Sequence, residues 1–264
     1  MAAISDAGAN RTGAVIARQR HLASAPITEA LIDIHVAPRE GLSFAALQDS
    51  ISAAAFGYYV KNPISEGVFG FKLPAAGQQP ETTAESAQVG LRLHSPDEKY
   101  VAQCRLSGFT LSRLPPYEDW TRLLEETKRV WAVYVERLAP LRVVRVATRF
   151  INNLRLPLAQ GASYQTFLNK LVDVPDEAPQ AVAAFFQRFQ LVDAASGARV
   201  NLTLALDSTP PGGLAPVILD LDAFMSANLE PADPELWSML ERLRELKNRS
   251  FFGTITEQAA ELYA

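Results

Sequence analysis

Beginning at Thr28 the chain alternates, with Ala30, Ile32, Ile34 and Val36 on one parity and Glu29, Leu31, Asp33 and His35 on the other. Such alternation predicts a strand with one apolar face. Ser43 then stands where an N-cap belongs, ahead of Phe44, Leu47, Ile51 and Ala54 or Ala55 at helical spacing, so a helix is expected next. Three strand-like runs follow: Gly67 to Leu73, Ala87 to Ser95 and Lys99 to Leu114. After Pro115 and Pro116, the segment from Tyr117 to Leu138 places Trp120, Leu124, Trp131, Tyr134 and Leu138 along one helical stripe, with acids in the first turn.

The same order of patterns returns from Thr148. Thr148 to Leu156 alternates as a strand, Ser163 caps a helical run from Tyr164 to Val172, and Phe185 to Val192, Ala198 to Leu206 and Pro216 to Phe224 supply three more strands. Asp233 and Pro234 then open a helix running on to Arg249. Thr28 with Thr148 and Ser43 with Ser163 share one offset. Further on, Ala87, Val89, Leu91 and Leu93 match Ala198, Val200, Leu202 and Leu204, while Leu106, Phe109 and Leu114 match Leu221, Phe224 and Leu229. The expected fold is therefore α+β, an internal duplication of a β-α-β-β-β-α unit covering 24–140 and 141–264, preceded by a flexible N-terminal arm over 1–23. Antiparallel sheets with helices on one face, joined edge to edge into about eight strands, would give a saddle like that of TATA-binding proteins. The stretches 74–86, 173–180 and 207–216 have the composition of mobile loops.

Helices must cover the apolar parity, so the opposite parity forms a polar face. It carries Glu29, Asp33, His35, Arg92, His94, Gln103 and Arg105 in the first half, and Arg145, Arg149, Asn153, Arg155, Arg199, Asn201, Asp220 and Asp222 in the second. Arg145, Arg149, Asn153 and Arg155 suit forked recognition of a carboxylate or phosphate, in competition with ion pairing to Glu29, Asp220 or Asp222. Asp33 and His35 project together and, with His94, raise a metal site or an acid–base role; a solvated polar face is the simpler account, and no metal or cofactor is expected. The three tryptophans, at helical spacing, belong to the core.

A net charge of −4 argues against a broad phosphate-neutralising surface, and the mixed signs on the polar face argue against minor-groove binding. The single Cys104 excludes an internal disulfide, no apolar run is long enough to span a bilayer, and the N-terminal apolar stretch is too short for a signal peptide, so a cytoplasmic protein is expected. Nucleotide-binding glycine motifs, zinc-protease spacing, the nucleophile elbow and paired C-x-x-C are all missing.

Pro26 to Ala30 (PITEA), Gly108 to Trp120 (GFTLSRLPPYEDW), Trp131 with Tyr134, and Arg149 to Asn152 (RFIN) together resemble a sporadically distributed prokaryotic family of about this length, with no assigned function. The resemblance covers most of the chain from Pro26, and Gly-Phe-x-x-Ser-Arg-Leu-x-Pro-Tyr-x-x-Trp is its most specific part. It implies a scattered, horizontally transferred gene of the kind found in mobile or defence islands, and supplies no catalytic residues.

Three function classes remain. The leading one is a non-catalytic binding or regulatory protein that holds a protein partner or a small anionic ligand on its polar sheet face or in the cleft between halves, through Asp33, His35, Arg105, Arg145, Arg149, Asn153 and Arg155. The second is an enzyme of unrecognised type acting on an anionic substrate, and the third a nucleic-acid-binding saddle.

Overall fold

A computed structural model describes residues 15–51, 53–72, 81–158, 163–169, 174–175, 177–179, 182–206 and 214–264 of the chain. Chain order is β1 (Ile27–Ala37), α1 (Phe44–Ser50), α2 (Ala53–Phe56), β2 (Tyr59–Lys72), β3 (Glu81–His94), β4 (Tyr100–Arg105), β5 (Gly108–Arg113), α3 (Trp120–Leu138), β6 (Arg142–Pro157), β7 (Phe185–Val192), β8 (Arg199–Leu206), β9 (Leu214–Leu229), α4 (Glu235–Thr254) and α5 (Glu257–Glu261). The strands form one antiparallel sheet in the order β2-β3-β4-β5-β1-β6-β9-β8-β7. The fold is α+β, and no helix among the described residues is long and apolar enough to cross a membrane.

Register carries the apolar parity across the sheet. Ile34 lies opposite Phe109 and Val146, Ala30 opposite Phe150, and Phe150 opposite Leu221, all of them buried. Both long helices pack on this face. Phe109 meets Trp131 and Tyr134 of α3 at ring-centroid distances of 6.0 and 5.7 Å, and Phe150 meets Trp120 of α3 at 6.4 Å and Lys247 of α4. Each large apolar side chain removed from water here contributes about 1.5–3 kcal/mol before entropy is counted. Ser43 caps α1 as expected, its Oγ accepting from Ala46 N–H at 3.2 Å; α3 starts only at Trp120, so the acids expected in its first turn precede it, and Asp119 serves as its cap, Oδ1 accepting from Arg122 N–H at 2.8 Å.

Several expectations are corrected. The run from Lys99 to Leu114 is two strands, β4 and β5, turning at Leu106 and Ser107, so the sheet has nine strands and its two halves differ in strand number. Gly108 permits the close approach of β5 to β1: a Cβ there would lie 2.6 Å from the Ile34 carbonyl oxygen. The match of Ala87, Val89, Leu91 and Leu93 to Ala198, Val200, Leu202 and Leu204 consequently fails in sheet position, since β3 is third from β1 while β8 is second from β6. β5 and β9 both flank a central strand, but the residue match of Leu106, Phe109 and Leu114 to Leu221, Phe224 and Leu229 fails as well: Leu106 lies in the β4–β5 turn, and Phe109 is buried under α3 while Phe224 lies beneath Arg145 on the polar face.

Of the helix expected over Tyr164 to Val172, the described residues 164–169 hold a 3-10 turn, Tyr164–Thr166, after which Leu168 bridges to Ile255 and Asn169 N–H reaches Thr254 O at 2.8 Å; 170–172 lie outside the described residues. Of the presumed loops, 81–86 belongs to β3 and 214–216 to β9, while 74–80, 173, 176, 180 and 207–213 lie outside the described residues. Residues 15–23 of the expected arm run along the α4–α5 junction. Ala17 N–H donates to Ile255 O at 3.2 Å, Arg20 pairs with Glu257 at 2.6 Å, and Ala17 and Leu22 are buried; residues 1–14 lie outside the described residues.

Candidate functional site

The polar face converges on Asp33. Its Oδ1 accepts from Arg105 Nη2 at 2.7 Å and Thr110 Oγ1 at 2.6 Å, and its Oδ2 lies 3.1 Å from Arg145 Nη1 and 2.8 Å from His35 Nε2. Burial pushes this carboxyl upward, but the hydrogen bonds from His35 and Thr110 and the charges of His35 and Arg105 outweigh it and hold Asp33 near a pKa of about 2. The row continues: Arg145 lies 3.7 Å from Asp222 and 4.6 Å above the Phe224 ring, Asn201 donates to Asp222 at 3.1 Å, and Gln190 donates to Asn201 at 3.0 Å. Arg149 forks Asp220 with bonds of 2.8 and 2.6 Å.

The structure thus gathers Asp33, His35, Arg105 and Arg145, with Arg149 engaged beside them. Asn153 and Arg155 lie toward the other end of β6, and ten residues of strand between Arg145 and Arg155 amount to about 33 Å, too far for one forked site. Arg155 is exposed and has no ion pair among the described residues. His94 sits three strands from β1, within 2.7 Å of Glu98, so it does not join Asp33 and His35. Because Arg149 is 43% exposed in its side chain and tied to one carboxylate, Arg149→Ala is expected to cost no more than about 1 kcal/mol in urea unfolding; a loss of about 3 kcal/mol would place it in the interior.

On the opposite, helix-covered face lies a cavity of about 390 Å³ that the polar-face candidates do not touch. Its walls come from the N-terminal segment (Arg20, His21), the residues leading into α3 (Tyr117, Glu118, Asp119, Trp120), the apolar side of β6 (Phe150, Asn152) and α4 (Arg244, Lys247, Phe251). Lys247 is 9% exposed, its Nζ 3.7 Å from the Phe150 ring centroid, with no carboxylate partner among the described residues. Burial, and then the neighbouring Arg244 charge, pull its ammonium from 10.5 to about 7. Arg244 and Arg20, by comparison, face Glu241 at 3.3 Å and Glu257 at 2.6 Å.

Aromatic contacts fix the walls. The Tyr117 ring meets Phe150 edge-on at 5.6 Å, burial pushes its phenol up so that it stays protonated, and Trp120 Nε1 donates to Glu241 at 2.6 Å. Asn152 is anchored by Nδ2 bonds of 2.9 Å to Leu219 O and 3.3 Å to Phe150 O. A broader depression of about 520 Å³ surrounds Arg113, but there the charges pair with one another, as in Arg113 with Glu118 at 3.5 Å and Arg129 with Glu126 at 2.6 Å.

Sequence reasoning missed Lys247. The signal was helical spacing: Leu236, Leu240, Leu243, Lys247 and Phe251 occupy one buried stripe of α4, and a lysine on such a stripe is the anomaly. Asn152, on the apolar parity of β6, is the matching anomaly on the sheet. Pro26, Tyr117, Trp120, Phe150 and Asn152, from three separate segments of the chain, all line this one cavity. Comparison of the chain with protein-family models finds no match, and no curated protein sequence matches it.

Proposed function

We propose that the protein is a binding or regulatory module that holds a small anionic ligand in the cavity where α3, α4 and the centre of the sheet meet. The observation that carries this is Lys247, a buried amine beside open space with no ion-paired carboxylate among the described residues. A buried charge without a partner costs several kcal/mol, and an anion entering the cavity would offset that cost. Aromatic walls at Phe150, Tyr117 and Trp120 favour a ligand with a planar apolar body. The polar face serves the same reading as scaffold, Arg105, Arg145 and Arg149 being occupied by Asp33, Asp220 and Asp222.

In this reading the two halves descend from one duplicated unit and the cavity is the cleft between them, with membership of the sporadic prokaryotic family as its evolutionary setting. The placement of β5 and β9 beside the central strands, each followed by a long helix, supports the duplication; the extra strand in the first half would be a later elaboration. Melting in 4-methylbenzoate or inorganic phosphate, against sodium chloride of equal ionic strength, tests the binding site. A saturable rise in Tm in the wild type and Arg149→Ala, lost in Lys247→Met, is expected. A rise that survives Lys247→Met but disappears in Arg149→Ala would move the site to the polar face. Methionine fills the lysine volume without the ammonium, so Lys247→Met should melt no lower than wild type.

A further inference from the structure

We propose that Lys247 is a nucleophilic amine that captures a carbonyl group of the bound ligand as a reversible imine. This rests on the binding cavity proposed above and deepens it, assigning the ligand a reactive aldehyde or ketone as well as an anionic group. The geometry supplies what an amine nucleophile needs. Lys247 is more than nine-tenths buried, it lines open space of about 390 Å³, its Nζ rests on the Phe150 ring, and no carboxylate among the described residues fixes it as an ammonium. Desolvation and an adjacent cation are the two devices that keep a lysine uncharged near neutrality, and both are present, Arg244 being the cation. The other charged or titratable groups facing the cavity are Arg20 and His21 from the N-terminal segment and Tyr117, Glu118 and Asp119 from the residues before α3.

The step balances without a redox partner. The lone pair of the neutral amine attacks the carbonyl carbon, and the C=O π pair moves to oxygen, which takes up a proton as the nitrogen loses one. The resulting carbinolamine loses its hydroxyl group together with the second amine hydrogen as one molecule of water, leaving C=N. Tyr117, held protonated by burial, is the neutral hydroxyl among the cavity walls suited to hydrogen-bond the developing alkoxide.

The test uses the full chain with 4-formylbenzoate, trapping any imine with sodium borohydride and mapping the adduct by peptide mass spectrometry. Lys128, exposed on α3, is the internal standard. At pH 7 the adduct should form at Lys247 at least about tenfold faster than at Lys128, with half-maximal rate near pH 7, whereas an ordinary lysine requires a pH near 10. Saturating 4-methylbenzoate, which has no carbonyl, should protect Lys247 and leave Lys128 unchanged. Equal labelling of the two lysines while 4-methylbenzoate still raises Tm would overturn the imine and leave anion binding standing. Equal labelling with no effect of 4-methylbenzoate or phosphate on Tm would overturn both.

Discussion

Replacing Asp33 with alanine is expected to lower the unfolding free energy by about 3 kcal/mol or more at pH 7, a large part of the total stability of a typical domain. The carboxylate is 14% exposed and receives Arg105, Arg145, His35 and the Thr110 hydroxyl, with Thr110 itself buried. Deleting it leaves two arginines facing one another across β1 and a buried hydroxyl without its acceptor, and stranding such groups costs far more than forming an exposed pair gains. Equilibrium urea unfolding of Asp33→Ala beside Arg149→Ala separates the two cases within one sheet face. A loss below about 1 kcal/mol for Asp33→Ala would show that the network is screened by solvent.

The same residue gives a pH signature. Its folded pKa of about 2 lies below the ordinary 3.8, so the stability it confers is fully present above pH 4 and is lost as pH falls toward 2. That difference is worth about 2 kcal/mol. Asp33→Asn, which keeps the shape without the charge, should flatten the stability profile between pH 4 and pH 2; an unchanged profile would assign the acid sensitivity to other carboxylates.

Phe150→Ala should cost about 3–5 kcal/mol. The ring is 1% exposed and joins the sheet to both long helices, meeting Tyr117 at 5.6 Å and Trp120 at 6.4 Å edge-on or tilted, and Lys247 Nζ at 3.7 Å. Its removal takes away the transfer free energy of a phenyl group and its packing against the Lys247 stem and nitrogen, and enlarges the existing cavity. Phe150→Leu restores most of the volume without the π face, so the gap between the two variants in denaturant unfolding isolates the ring. If both lose the same amount, Lys247 gains nothing from Phe150, and its burial must be explained by packing of the lysine stem alone.

Individual strands could be read directly from alternation, because a side-chain period of two is set by backbone geometry and needs no knowledge of neighbours. Thr148, Phe150, Asn152 and Leu154 are buried while Arg149 and Asn153 are not, the parity that alternation from Thr148 predicts. Ser43 was likewise visible as a cap, since a cap bonds to the backbone within three residues. Strand count was not. The turn at Leu106 and Ser107 is marked only by the dipeptide Ser107-Gly108, and the apolar residues on both sides of it make the run from Lys99 to Leu114 read as one strand.

Local sequence therefore determined which residues turn toward the helices and which toward the polar face. Tertiary structure alone decided which of them meet. Asp33 and Arg145 are 112 residues apart in the chain, and Trp120 and Glu241 are 121 apart; their contacts depend on β1 pairing with β6 and on α3 and α4 covering the same face. Lys247 shows the division most clearly. Its place on an apolar stripe follows from helical spacing, but the cavity beside it and the Phe150 ring beneath it exist only once four distant segments have packed together.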